Sequence, residues 1–172
     1  KLHVLEVATF FGAMQEYQAR GYTEHVCLNS FPSEFFTMSE ATAFNSYFGD
    51  LSGVGIIEIL EYPFISENAC KYKKIACERQ NLMIAIDDFG NGLSNMDLVD
   101  MYSPQIVKLD RTLISDIDTD SEKQENVSGL VKTFHARNIM VVAEGIERKE
   151  EFEMLVDMGV DLFQGYYLAM PE

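Results

Sequence analysis

"IAIDDFGNG", residues 84–92, carries an apolar segment into two adjacent aspartates, Asp87 and Asp88, then a phenylalanine and two glycines, Gly90 and Gly92, separated by one residue. The segment before the aspartates shows no polar alternation, so it reads as a strand buried on both faces, as in a parallel sheet. Two carboxylates at the end of such a strand raise the question of what uses them. The glycines supply a backbone free to fold back around that charge.

The same arrangement repeats along the chain. Strand candidates are "HVCLN" (25–29), "VGIIEIL" (54–60), "MIAIDDF" (83–89), "QIVKLD" (105–110), "IMVVAEGI" (139–146) and "DLFQGYYLA" (161–169). Amphipathic helices are predicted between most of them. One covers about 5–20 and stops at Gly21; another starts from Ser66 as N-cap and carries its lysines outward. A third covers about 121–137 with Val127, Leu130, Val131 and Phe134 on one stripe, and the last runs about 147–158, exposes Lys149, Glu150 and Glu153, and ends at Gly159. Strand–helix alternation means a parallel α/β fold. No linker or low-complexity tract divides it, so a single domain is expected.

The polar residues decide between a doubly wound sheet and a TIM barrel. Asn29 ends the first strand candidate, and Glu58 sits late in the second with Glu61 beyond it. Asp87 and Asp88 end the third, Lys108 and Asp110 the fourth, Glu144 follows "VVA" in the fifth, and Gln164 interrupts the sixth. Any one of these alone is as well explained by a structural hydrogen bond or a helix cap. Their common placement at carboxyl ends is the pattern of a barrel, whose strand ends meet at one mouth. An open sheet would concentrate them at its switch point.

Composition restricts the chemistry. The 172 residues are 47% hydrophobic, which fits a folded domain with a real core. With 28 acidic and 13 basic side chains the net charge is -15, the wrong balance for a binder of nucleic-acid polymers. A phosphate ester would need neutralisation from elsewhere, and a divalent metal held by carboxylates is the obvious source. Asn29, Glu58, Asp87 and Asp88 offer oxygen donors only, and His3, His25 and His135 form no metal-binding spacing. Oxygen donors suit Mg2+ or Mn2+ rather than zinc. Adjacent aspartates could serve two ions, and Lys108 either neutralises a carboxylate-rich pocket, steadies an attacking hydroxide or makes a structural salt bridge. The cysteines Cys27, Cys70 and Cys77 read as core thiols in a reducing cytoplasm. "DFG" without a Gly-rich loop or an HRD loop excludes a protein kinase. No apolar run is long enough to span a membrane.

The ordered set N-S (29–30), E-I-L-E (58–61), D-D-F-G-N-G (87–92), K-L-D (108–110), E-G-I-E (144–147) and Q-G-Y (164–166) resembles the EAL family of bacterial cyclic di-GMP phosphodiesterases, over nearly the whole chain. The resemblance implies a modified (β/α)8 TIM barrel, an α/β fold, and hydrolysis of cyclic di-GMP to linear pGpG with a two-metal Mg2+ or Mn2+ site in second-messenger signalling. It implies metal ligation by Asn29, Glu58, Asp87 and Asp88, and catalytic roles near the attacking water for Lys108, Glu144 and Gln164. Glu61 resembles the glutamate that anchors the loop after the paired aspartates, and Glu147 is a weaker match with a structural role. It further implies a homodimer, a GGDEF or sensor domain as companion, and a cytoplasmic domain whose full-length protein could be membrane-anchored.

The chain departs from the family pattern at Asn91, usually threonine, and Leu93, usually aromatic. The EAL tripeptide is not found, and about six of eight strands are predicted, so the chain reads as a domain truncated at its amino terminus and inactive by itself. Two other readings stay open. One is a catalytically inactive EAL-like module that binds cyclic di-GMP or a protein partner as a signalling effector. The other is an unrelated metal-dependent TIM-barrel lyase or hydrolase.

Overall fold

The computed structural model describes residues 1–63, 65–92 and 95–170. Elements alternate as the sequence implies: α1 (Leu2–Ala19), β1 (Val26–Ser30), α2 (Met38–Phe48), β2 (Gly55–Ile59), α3 (Glu67–Arg79), β3 (Met83–Phe89), α4 (Met96–Tyr102), β4 (Ile106–Leu109), α5 (Arg111–Ile114), α6 (Ser121–His135), β5 (Met140–Ala143), α7 (Lys149–Asp157) and β6 (Leu162–Phe163). The strands follow sequence order in one six-stranded sheet, and the pairs β1–β2, β4–β5 and β5–β6 are parallel. Sequential order is that of a (β/α) barrel; a doubly wound sheet reverses direction at its switch point. The fold is therefore α/β and TIM-barrel-like.

The chain divides into two units, Lys1–Ala85 with Asp100–Ser103, and Ile86–Val99 with Pro104–Glu172. In the first, α1 buries Glu6, Phe10 and Met14, spaced four residues apart along one stripe. Phe10 and Phe11 meet Phe44 with ring centroids 6.3 and 5.3 Å apart, so an aromatic cluster joins α1 to α2. The sequence reading did not identify α2. Its start is fixed by a capping box, in which the Glu40 amide donates to Thr37 Oγ1 and the Thr37 amide to the Glu40 carboxylate.

Two expectations fail in this unit. The lysines of α3 do not all point outward: Lys73 is only 4% exposed, because it shares the inward stripe with Cys70 and Cys77. And Cys27 is not a core thiol. It is exposed, because β1 alternates buried and exposed residues and Cys27 falls on the open face with Asn29, while Cys70 and Cys77 are buried.

In the second unit β4 is buried along its whole length, and α6 buries Val127, Val131 and Phe134. Phe134 meets Phe89 at the end of β3 edge to face, 5.2 Å between centroids. The helices α4 and α5, of seven and four residues, are too short for a helical period to show in sequence. The two last strands are shorter than expected. β5 stops at Ala143, before Glu144, and β6 is only Leu162–Phe163, because the chain turns immediately, with the Leu168 amide donating to the Gly165 carbonyl.

Candidate metal centre

Asp87 is reached by β3, whose apolar residues Ile84 and Ile86 are buried and fix its register. Beyond it Asp88 adopts a left-handed φ of 50°, and its carbonyl accepts the Asn91 amide at 3.1 Å, which turns the chain at once. Gly90 completes the turn with φ 99°; a Cβ there would lie 2.9 Å from Leu113 Cγ, so only glycine fits. Leu93, the other departure from the family pattern, lies outside the described residues.

The ends of β3, β4 and β5 are tied together by backbone. The Asp110 amide donates to the Phe89 carbonyl at 3.0 Å, and the Glu144 amide to the Leu109 carbonyl at 3.1 Å. This sets Lys108, 8% exposed, between two carboxylates: its Nζ lies 2.8 Å from Asp87 Oδ1 and 2.7 Å from Glu144 Oε1. One oxygen each from Asp87, Asp88 and Glu144 lies within 4.8 Å of the others. Among the described residues this is the single group of three or more such side chains placed to hold an ion. Three carboxylates around one ammonium leave net negative charge, and all donors are oxygen. That set fits a hard divalent cation such as Mg2+ or Mn2+ and does not fit a thiolate or imidazole site.

The remaining sequence-predicted residues fall as follows. Asn29 and Glu58 are register partners on β1 and β2, so they project from the same side of that strand pair. Asn29 is exposed and Glu58 is 9% exposed. Glu61 is half-buried, beyond the end of β2. Gln164 is exposed, but its backbone is pinned beside Glu144: its amide donates to the Ala143 carbonyl at 2.8 Å and its carbonyl accepts the Ile146 amide at 3.1 Å. Gly165 has no room for a side chain, since a Cβ would fall inside the Ile146 backbone. The "QG" pair is thus a close crossing of two chain segments. Glu147 forms an ion pair with Arg111 at 2.7 Å, both half exposed.

The sequence reading missed Glu151. This residue, 3% exposed, accepts the amides of Glu147, Arg148 and Asp116 at 3.1, 3.1 and 2.9 Å. Burial opposes its charge, but the three amides and the Arg148 guanidinium outweigh it and hold the carboxyl below its ordinary range. It thereby fixes the loop that leaves Glu144. The signal was a glutamate three residues after the residue preceding α7, the spacing of a capping box.

Known proteins resemble this chain in sequence and in fold. The family model described as EAL domain matches residues 14–171. The chain is 29% identical over 149 residues to the probable cyclic di-GMP phosphodiesterase PdeD of Escherichia coli, covering 86% of this chain and 28% of that protein. It is 32% identical over 119 residues to the cyclic di-GMP phosphodiesterase RocR of Pseudomonas aeruginosa, covering 67% of this chain and 30% of that protein. It therefore spans less than a third of the length of these curated relatives. A standalone versatile EAL protein from Vibrio cholerae O395, solved in its c-di-GMP bound form, superimposes with a TM-score of 0.89 at 27% identity, covering 98% of this chain and 73% of that one. With its ordered motifs, its sequential parallel strands and a family match over nearly its whole length, the chain belongs to the EAL domain family.

Proposed function

We propose that this chain supplies the catalytic centre of a metal-dependent phosphodiesterase that hydrolyses cyclic di-GMP to linear pGpG. The observation that carries the reading is the Asp87–Asp88–Glu144 oxygen group with Lys108 held between two of its members. The retained carboxylates, with a buried lysine between two of them at 2.7 and 2.8 Å, support an enzyme over a module that only binds nucleotide. Relatives named as cyclic di-GMP phosphodiesterases and a neighbour solved with c-di-GMP bound support the substrate class.

In this reading Asn29, Glu58, Asp87 and Asp88 hold Mg2+ or Mn2+. A metal held there would supply Lewis-acid polarisation of the phosphodiester and a lower pKa for the attacking water. Glu144, a carboxylate paired with Lys108, would accept a proton from that water as its oxygen bonds to phosphorus and the bond from phosphorus to a ribose oxygen breaks, the released oxygen taking up a proton from solvent. Lys108 offsets the negative charge on the phosphoryl oxygens, in a setting of low exposure where such an interaction is strong. Gln164, held by its backbone next to Glu144, orients the water by hydrogen bonding, and Glu61 anchors the loop after the aspartates. The protein acts as a homodimer, with a GGDEF or sensor domain alongside, in the cytoplasm. Among the described residues no helix is long and apolar enough to cross a membrane.

The test is to incubate the full-length protein with cyclic di-GMP in Mn2+, in Mg2+ and in EDTA, and to follow pGpG by chromatography. Metal-dependent turnover is expected. Tight binding without product in either metal would identify an inactive signalling module instead.

A further inference from the structure

The first unit contains a polar network that the proposed chemistry leaves unused. Glu6, Ser30 and Lys73 are 2%, 1% and 4% exposed and come from α1, β1 and α3. Ser30 Oγ donates to the Glu6 carboxylate, and Lys73 Nζ donates to Ser30 Oγ and to the Phe31 carbonyl. Lys73 Nζ also lies 3.3 Å from Glu6 Oε1, and the Phe31 amide donates to Glu6 Oε2 at 2.9 Å. One residue on, the Pro32 carbonyl accepts the Tyr102 hydroxyl and, at 3.5 Å, the Cys70 thiol. Residues 30–32 are thus gripped by side chains from several elements.

The surroundings are apolar. A cavity of about 170 Å³ borders the network, lined by Phe10, Phe36, Phe44, Ile57 and Leu82. Burial there draws the Lys73 ammonium below the ordinary lysine range, and the facing Glu6 carboxylate opposes that. A buried ion pair of this kind contributes little to net stability compared with well-packed apolar residues, so its presence points to a demand for geometry. Ser30 directly follows Asn29 in β1, and the two side chains point to opposite sides of the strand, Ser30 into the core and Asn29 to the open face. A strand rotation that displaced Ser30 would displace Asn29 with it.

We propose that Glu6, Ser30 and Lys73 are positioning residues for Asn29, holding its amide in the orientation needed to ligate a divalent metal. The inference rests on the reading of Asn29 as a metal ligand. Supporting residues behind metal ligands typically change metal affinity by about 10- to 100-fold when removed.

The experiment measures Mn2+ binding to the full-length protein by the electron paramagnetic resonance signal of free Mn2+, with melting temperature recorded in parallel. The variants are Asn29→Ala, Ser30→Ala, Ser30→Thr and the charge-neutral pair Glu6→Gln/Lys73→Met. Expected is an affinity about tenfold lower or more for Asn29→Ala, for Ser30→Ala and for the pair. Ser30→Thr keeps the hydroxyl, has the neighbouring cavity for its methyl group, and should bind like wild type. Ser30→Ala added to Asn29→Ala should weaken binding no further, because both act through one ligand. If Ser30→Ala and the pair bind Mn2+ like wild type while Asn29→Ala does not, the network is structural only and the inference fails with the metal reading intact. If Asn29→Ala itself binds like wild type, Asn29 is no ligand and the inference falls with that part of the reading. Should the pair fail to fold, Ser30→Ala against Ser30→Thr decides.

Discussion

Replacing Lys108 by methionine removes one positive charge from between Asp87 and Glu144 while keeping the bulk of the side chain. Its contacts at 2.8 and 2.7 Å are then lost, and three carboxylate oxygens within 4.8 Å of one another lose the ammonium that lay between two of the carboxylates. At an effective dielectric near 20 each like-charged pair at that distance repels by about 3.5 kcal/mol, an upper figure because water screens part of it. Removing one partner of a buried ion pair costs about 3–5 kcal/mol by experience with other proteins. A loss of about 3 kcal/mol is therefore expected for the Lys108→Met variant by urea denaturation in EDTA. A divalent cation should restore much of it, since the vacated charge is the one a metal supplies and a ligand that binds only the folded state stabilises by RT ln(1 + [L]/Kd). The assay is a set of urea curves for wild type and variant in EDTA and in millimolar Mn2+. A variant loss below about 0.5 kcal/mol in EDTA, or a Mn2+ gain no larger in the variant than in wild type, would refute the view that Lys108 stands in a cation-binding group. Turnover gives the complementary reading: kcat should fall by about 100-fold or more with KM little changed, because the lysine acts on charge that develops only during reaction. A raised KM with unchanged kcat would make it a binding residue.

Other outcomes follow from the same geometry. Gly165→Ala should lower stability by about 2 kcal/mol or more, measured by urea denaturation, since its Cβ would occupy the Ile146 backbone; wild-type stability would mean that the crossing of the two segments is looser than described. Glu151→Gln should lower the melting temperature near neutral pH. The Glu151 carboxyl is held below its ordinary range, so its contribution is fully present above the unfolded value of about 4.3 and fades as pH falls through the lower folded value. The gap between wild type and variant should accordingly narrow in acid, and a gap independent of pH would remove the charge from the explanation.

The clustering of Asp87, Lys108 and Glu144 was more legible in sequence than the scaffold around it. Asp87, Lys108 and Glu144 could be read because each follows a run of buried apolar residues, and strand ends are where a barrel places its chemistry. Glu144 and Gln164 read as lying inside strands, yet both fall just past strand ends; for Gln164, β6 ends early where Gly165 closely approaches Ile146, a contact between residues 19 apart that no local pattern encodes. Lys73 looked like one of several outward lysines in "CKYKK". Its place three residues after Cys70 and four before Cys77 put it on the buried stripe, a signal present but outweighed by the usual exposure of lysine. The helix α2 was missed because its inward face is carried by Phe44 alone among fully buried residues, with no sustained period to read.

The most direct test of the metal-centred account is the rate of pGpG formation from cyclic di-GMP by the full-length protein in Mn2+, compared between wild type and Asp87→Asn at matched circular dichroism. Asp87→Asn keeps the size of the side chain and removes one negative charge from the oxygen group. The account expects metal-dependent product from wild type and none above background from the folded variant. Equal turnover by the two would show that Asp87 holds no metal needed for the reaction, and the proposed centre would be wrong.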